Sequence, residues 1–143
     1  MPKTWTEKLQ TARQPEIKRI DKAFADIPAN ANMLIATPQL IAAYLKQVPK
    51  GVSVDTTTLR KDLALEYGAE YTCPVTTGIF LRMVAEAAYE QYQQQNSLRN
   101  ITPFWRAITP NAPLAKKLSF GQDWLMELRK KEGLDTTTKT KRK

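Results

Sequence analysis

The residue best suited to nucleophilic chemistry in this sequence is Cys73, the only cysteine, in the segment Tyr71-Thr72-Cys73-Pro74-Val75. A thiol nucleophile needs a base that removes its proton, and histidine is the side chain that most often does so. The sequence contains no histidine, which also removes the commonest metal ligand. We therefore expect Cys73 to be a buried or capping residue, and we expect no metal or cofactor site.

The second chemical feature is an excess of positive charge. The chain of 143 residues has 22 Lys and Arg against 14 Asp and Glu, a formal net charge of +8. A charge of this sign attracts polyanions, of which nucleic acid is the most abundant. Part of the excess lies in the tail, residues 135–143, which has four basic residues and one acidic residue. The tail has no apolar residue, so we expect it to be disordered.

A long stretch without acidic residues lies between Glu90 and Asp123. The basic residues inside it are Arg99, Arg106, Lys116 and Lys117. Such a one-sided charge distribution is typical of a surface that contacts phosphate, and it makes these four residues candidates for DNA binding.

Helix signals dominate the elements that must position these residues. N-cap residues, prolines at first turns and apolar residues at helical spacing predict six helices. The predicted helices cover residues 4–13, 15–27, 37–48, 55–68, 74–94 and 119–133, the last opened by a capping box at Ser119-Phe120-Gly121-Gln122. One strand is predicted, Phe104–Ile108. These elements together predict a mainly α protein with one short β element.

The helices at 55–68 and 74–94 are joined by roughly six residues around Gly68, which suits a helix-turn-helix whose second helix enters a DNA groove. The alternative is a pair of core helices joined by a short loop. The acid-free stretch and its strand resemble the wing of a winged helix. The charge of the second helix argues against sequence-specific binding of DNA. Arg82 is its only basic residue, and it also carries Glu86 and Glu90.

Six short segments occur in an informative order along the chain. They are Val48-Pro49-Lys50-Gly51-Val52, 58–64, Thr77-Gly78, 101–108, Trp124-Leu125 and Glu132-Gly133-Leu134. From Val48 to Leu134 this order resembles the DNA-binding, active-site domain of the alkylguanine-DNA alkyltransferases and of their relatives, the alkyltransferase-like proteins. The resemblance implies a winged-helix fold and DNA as the partner.

The resemblance also implies where the reactive groups of the family would stand. Phe104 takes the place of the alkyl-accepting cysteine, Trp105 that of the neighbouring histidine, and Glu132 that of the glutamate that orients the histidine. A phenyl ring and an indole cannot accept an alkyl group as a thiolate does, so we expect no enzyme activity at this degenerate site. Phe104 and Trp105 could line an aromatic pocket that stacks a nucleobase, or could fill the core.

Two further departures from the family concern DNA. The intercalating arginine of the family falls at Val75, and its base-rotating tyrosine falls on or near Thr56, so both side chains used for base flipping are missing. Thr76 and Thr77 could donate to phosphates or cap the helix, and Arg106 could be structural or contact phosphate. The full set of candidate DNA-binding residues is Thr76, Thr77, Gly78, Arg82, Arg99, Arg106, Lys116 and Lys117.

The sequence thus predicts an N-terminal helical extension over 1–47, a winged-helix, alkyltransferase-like domain over 48–134, and a basic tail over 135–143. The expected function is non-catalytic, weak or nonspecific DNA binding, linked to recognition of alkylated DNA or to DNA repair. The alternative is a protein-interaction module that kept the fold, with the N-terminal helices as one contact surface. No apolar run reaches the roughly 20 residues that cross a bilayer, and we expect a cytoplasmic protein.

Overall fold

The computed structural model describes residue 7, residues 14–110 and residues 112–134. The architecture of this part of the chain is mixed α/β, and helices predominate. Its elements are β1 (Glu16–Arg19), β2 (Asn32–Ile35), α1 (Pro38–Gln47), α2 (Thr56–Tyr67), β3 (Tyr71–Thr72), α3 (Pro74–Gln95) and α4 (Asp123–Lys131), with 3₁₀ turns at Phe104–Arg106 and Pro113–Lys117. Of the helix predicted over 4–13, only Glu7 is described, and it is helical; the rest of that segment and the basic tail over 135–143 lie outside the described residues.

The three predicted helices in the middle of the chain are confirmed as α1, α2 and α3. Thr37 caps α1 by accepting a hydrogen bond from the backbone nitrogen of Leu40 at 3.1 Å. Asp55 caps α2 in the same way, from the backbone nitrogen of Thr58 at 2.7 Å. Gly68 ends α2 with a φ of 70°, in the left-handed region that glycine adopts at low cost. These caps are local, which is why the sequence pattern indicates them correctly.

The helix predicted over residues 15–27 is wrong. This segment instead forms β1, which pairs antiparallel with β2. Beyond the strand the chain reverses at Ala25, whose φ is 51°, and Phe24 forms a β-bridge with Ile27. Backbone pairing with a distant strand overrides the apolar spacing that indicated a helix. The N-terminal extension is therefore not purely helical.

The sheet joins the N-terminal segment to the rest of the protein. Its strand order is β1-β2-β3, and β2 runs parallel to β3 with Met33 opposite Tyr71. Leu34 of β2 and Ile41 of α1 belong to the same buried cluster as Leu59 of α2. Residues on both sides of position 48 therefore share one hydrophobic core.

The strand predicted at Phe104–Ile108 is also wrong, because this segment begins with a 3₁₀ turn, Phe104–Arg106. The turn directs Phe104 into the core and turns the Arg106 side chain toward Glu132. A strand would place alternate side chains on opposite faces. In the 3₁₀ turn, Phe104 is buried in the core, whereas Trp105 and Arg106 both bind Glu132. The β element expected in this region is instead the sheet near the N-terminus.

The capping box predicted at Ser119 does not cap a helix. The hydroxyl and backbone nitrogen of Ser119 instead donate to the carboxylate of Glu86, a completely buried residue of α3. Gly121 then turns the chain with a φ of 76°, and α4 begins at Asp123, later than predicted. A buried carboxylate requires hydrogen-bond donors, and this requirement determines the role of Ser119.

Candidate functional site

Phe104 is completely buried. Its ring contacts the rings of Trp105, Phe120 and Trp124, with centroid separations of 5.4, 5.7 and 5.5 Å. Trp105 is buried as well, with 6% of its surface exposed. Of the two roles left open by the sequence, the structure gives Phe104 the core role, because no face of its ring is open to stack a base.

The carboxylate of Glu132 is the centre of a hydrogen-bonded cluster. Trp105 Nε1 donates to its Oε2 at 2.9 Å. Arg106 makes a bidentate contact, with Nε on Oε1 and Nη2 on Oε2, both at 2.9 Å. The backbone nitrogen of Gly51 donates to Oε1 at 3.0 Å. Below, these residues and the Val48 carbonyl, which accepts from Arg106 Nη1 at 2.7 Å, are called the Glu132 cluster.

The contacts of the cluster keep Glu132 ionised. Burial opposes the charged form, but the bonds from Arg106, Gly51 and Trp105 outweigh it and lower the pKa of Glu132 to about 2, from an ordinary value of 4.5. Its two oxygens accept four hydrogen bonds, so the carboxylate is poorly placed to take a proton from a substrate. The cluster joins the loop after α1, the 3₁₀ turn at Phe104–Arg106 and the end of α4.

A second buried arginine supports the same region. Arg129 is only 1% exposed, and its Nη1 donates to the carbonyl oxygens of Trp105 at 2.7 Å and Ile108 at 3.3 Å. Its Nη2 lies 3.3 Å from Ser53 Oγ. Sequence reasoning missed this residue, although its spacing of one helical turn from Leu125 on the buried face of α4 was an available signal.

Cys73 lies apart from the Glu132 cluster, at the start of α3. The residue is buried, with 4% exposed, and its backbone nitrogen donates to the carbonyl of Leu34 at 2.8 Å. This placement fits the buried role expected from the sequence.

The open face of α3 forms the second candidate site. Gly78 and Ile79 lie three and four residues after Val75, and Arg82 lies four and three residues after them, so these four residues share one face of the helix. Val75 and Ile79 are 52% and 54% exposed. This face lines a groove of about 680 Å³ together with Thr56, Arg60, Pro74, Thr77, Met83, Ala112, Pro113, Leu114 and Lys117. We call it the α3 groove; among the described residues that line it, none is acidic.

Comparison of the chain with protein-family models, with curated proteins and with solved structures found no significant match. None of the helices described combines the length and apolar character needed to cross a bilayer. Within residues 14–110 and 112–134, no three His, Cys, Asp or Glu side chains are grouped so as to hold a metal ion.

The structure brings four of the candidate DNA-binding residues to the α3 groove, namely Thr77, Gly78, Arg82 and Lys117. Thr77 is buried, and its hydroxyl donates to the carbonyl of Cys73, four residues earlier, at 2.6 Å. This is a bond from a side chain back to the helix backbone, and no side chain caps the start of α3. Lys116, exposed, is the neighbour of Lys117 in the 3₁₀ turn, and Thr76 is partly buried on α3.

Arg82 brings positive charge to the groove from α3, and Lys117 brings it from the 3₁₀ turn at Pro113–Lys117. Arg82 Nε lies 3.6 Å from Oε2 of the buried Glu86, and 37% of the Arg82 side chain is exposed. Lys117 is exposed. Both side chains can therefore reach an anionic ligand in the groove, and Arg82 does so from an existing ion pair.

Two candidates lie elsewhere. Arg99 follows the C-terminal end of α3, and a helix of this length spans about 33 Å, so Arg99 is far from the groove. Arg106 is bound to Glu132 and to the Val48 carbonyl, with 14% of its side chain exposed. The structure thus gives Arg106 a structural role.

Sequence reasoning missed Arg60 as a groove residue. Thr56 and Arg60 are four residues apart on α2, so they share a face of that helix, and both line the α3 groove. This spacing was an available signal. Arg60 went unrecognised because the pattern does not show which face of α2 meets α3.

Proposed function

We propose that this protein is a non-catalytic, winged-helix DNA-binding protein of the alkyltransferase-like type, which binds duplex DNA weakly or nonspecifically through the α3 groove. The observation that carries the proposal is the composition of that groove. It combines an exposed helix face with the cations Arg82 and Lys117 and has no acidic residue among its described lining.

The arrangement of helices supports the choice of DNA. α2 and α3 are consecutive and are joined by residues 68–73, which include the short strand β3. The order of the two helices is that of a helix-turn-helix with α3 as the recognition helix. The net charge of +8 attracts the duplex at long range. Two contacts of lysine or arginine with phosphate in the groove predict weak binding, with a slope of log affinity against log salt concentration of about −2.

The Glu132 cluster supports the alkyltransferase-like type. Trp105 and Glu132 are the residues that the resemblance aligns with the histidine and glutamate of the family, and a direct hydrogen bond joins them. Phe104 fills the place of the thiol with a buried ring. We accordingly propose that this site transfers no alkyl group. The link to alkylated DNA or to DNA repair follows from the resemblance alone.

A second function is favoured by one observation, the exposure of Val75 and Ile79 in the groove. Two half-exposed aliphatic side chains on one helix face are also typical of a surface that binds an apolar segment of a protein partner. The alternative function is therefore a protein-interaction module.

A salt titration of duplex binding distinguishes the two functions. A fluorescently labelled duplex is titrated with the protein at several salt concentrations, and its anisotropy is measured. DNA binding predicts an affinity that falls steeply with salt, and the double variant Arg82→Gln, Lys117→Gln should flatten the slope by about 2. Lys18→Gln, on β1 and outside the groove lining, is the control with the same type of charge change.

Two results would favour the interaction module. One is failure of the protein to bind the duplex even at low ionic strength. The other is equal loss of affinity in the Lys18 variant and in each single variant of Arg82 and Lys117, because attraction by net charge alone would then explain the binding.

A further inference from the structure

Arg60 lines the α3 groove, and hydrogen bonds hold its guanidinium in place. Its Nε donates to the carbonyl of Thr72 at 2.9 Å, and the hydroxyl of Thr72 donates back to the carbonyl of Arg60 at 2.7 Å. These contacts tie α2 to β3 and leave the side chain of Arg60 only 14% exposed. Both terminal nitrogens of the guanidinium are thereby fixed in direction, so little side-chain entropy remains to be lost when they bind an anion.

Those two nitrogens bind a carboxylate that is itself open to solvent. Arg60 Nη1 and Nη2 donate to Asp26 Oδ2 and Oδ1 at 2.9 and 2.7 Å, a bidentate pair. Asp26 has 62% of its side chain exposed, and it follows Ala25 in the tight reversal between Phe24 and Ile27. One partner of the pair is thus fixed by the core, and the other belongs to an exposed turn of the N-terminal segment.

We propose that Arg60 is a phosphate-binding residue of the α3 groove and that Asp26 is an internal competitor, which a DNA backbone phosphate displaces from the guanidinium. The inference rests on the proposed function and adds a binding residue and a regulatory contact to it. A phosphodiester presents two oxygens to a guanidinium in nearly the geometry of a carboxylate. Arg60 and the groove cations Arg82 and Lys117 line the same groove.

The energetics permit this exchange. Asp26 is largely exposed, so its carboxylate is hydrated again when it leaves the guanidinium, and this hydration lowers the cost of displacing it. A phosphate contact releases condensed counterions, which favours the exchange at low salt. Hydrogen bonding to Arg60 lowers the pKa of Asp26, so the competitor stays charged at neutral pH.

The test compares two variants with the same change of charge. Asp26→Asn removes the competing carboxylate and leaves Arg60 in place, whereas Asp21→Asn changes an exposed aspartate in the same N-terminal segment. Duplex affinity is measured by anisotropy across salt concentrations. We expect Asp26→Asn to bind roughly two- to fivefold more tightly than Asp21→Asn at low salt, the range that an exposed ion pair allows, with the same salt slope, because the contact between Arg60 and phosphate forms in both variants.

The variant Arg60→Gln completes a thermodynamic cycle. In the Arg60→Gln background, Asp26→Asn should change the affinity no more than Asp21→Asn does, because the site of competition is absent. Thermal unfolding of each variant shows whether loss of the Thr72 contact alters folding. The comparison of Asp26→Asn with Asp21→Asn retains Arg60 and does not depend on that variant.

The outcomes separate this inference from the proposed function. If wild-type protein binds DNA but the two aspartate variants have equal affinity, the role of Arg60 is refuted and the DNA-binding proposal stands. If no variant binds the duplex at low ionic strength, both proposals are refuted.

Discussion

The indole Nε1 of Trp105 donates a 2.9 Å hydrogen bond to Oε2 of Glu132, 27 residues further along the chain. The same carboxylate accepts hydrogen bonds from both Nε and Nη2 of Arg106. An indole nitrogen can only donate, so Trp105 cannot take a proton from a neighbouring group. The carboxylate of Glu132 joins three segments of the chain, so we expect it to contribute to the stability of the fold.

Glu132→Gln should destabilise the fold by about 3 kcal/mol, because it leaves the guanidinium of Arg106 largely buried without a compensating charge. Urea unfolding at neutral pH measures the change. The control is Glu127→Gln, which alters an exposed glutamate on the same helix and should change stability by no more than about 0.5 kcal/mol. Equal effects of the two variants would contradict the structural role of the cluster.

Stability should fall between pH 4.5 and pH 2 in a way that depends on Glu132. Its pKa in the folded protein is about 2, below the ordinary value of 4.5, so the unfolded chain binds a proton first as the pH decreases. The stabilisation is therefore complete above pH 4.5 and is lost as the pH approaches 2. Unfolding free energies across this range should depend less on pH for Glu132→Gln than for wild type, and parallel profiles would count against the assignment.

Trp105→Phe should destabilise the protein by about 1–2 kcal/mol beyond the effect of lost ring area, because a hydrogen bond to a charged group is removed. Trp124→Phe provides the comparison, since Trp124 contacts the rings of Tyr89 and Tyr92 and lies outside the Glu132 cluster. Chemical unfolding of both variants checks the difference. A larger loss in Trp124→Phe would show that ring packing alone explains the cost.

Phe104→Cys should not create an alkyltransferase. The substitution places a thiol next to Trp105, but Glu132 remains bonded to an indole, so no imidazole is present to take the proton. The variant should also lose about 3 kcal/mol of stability through the cavity left by the ring. Mass analysis after incubation with an alkylated oligonucleotide should show no added alkyl mass on the variant or on wild-type Cys73, and any such adduct would overturn the non-catalytic interpretation.

The sequence alone was sufficient for the helices α1, α2 and α3. Their ends depend on contacts within four residues, such as Asp55 with Thr58 and the left-handed turn at Gly68. Such contacts are present in any short segment with the same residues, so caps and apolar spacing predict them. The lack of an imidazole base is likewise a property of the composition, because the chain has no histidine to supply one.

Only the tertiary structure decided the rest, because the decisive contacts join residues far apart in the chain. β1 forms because it pairs with β2. Ser119 donates hydrogen bonds to Glu86, 33 residues away, instead of capping a helix. Arg60 meets Asp26 across 34 residues. Local periodicity contains no information on which faces of the elements meet, and burial then determines which polar groups must find partners.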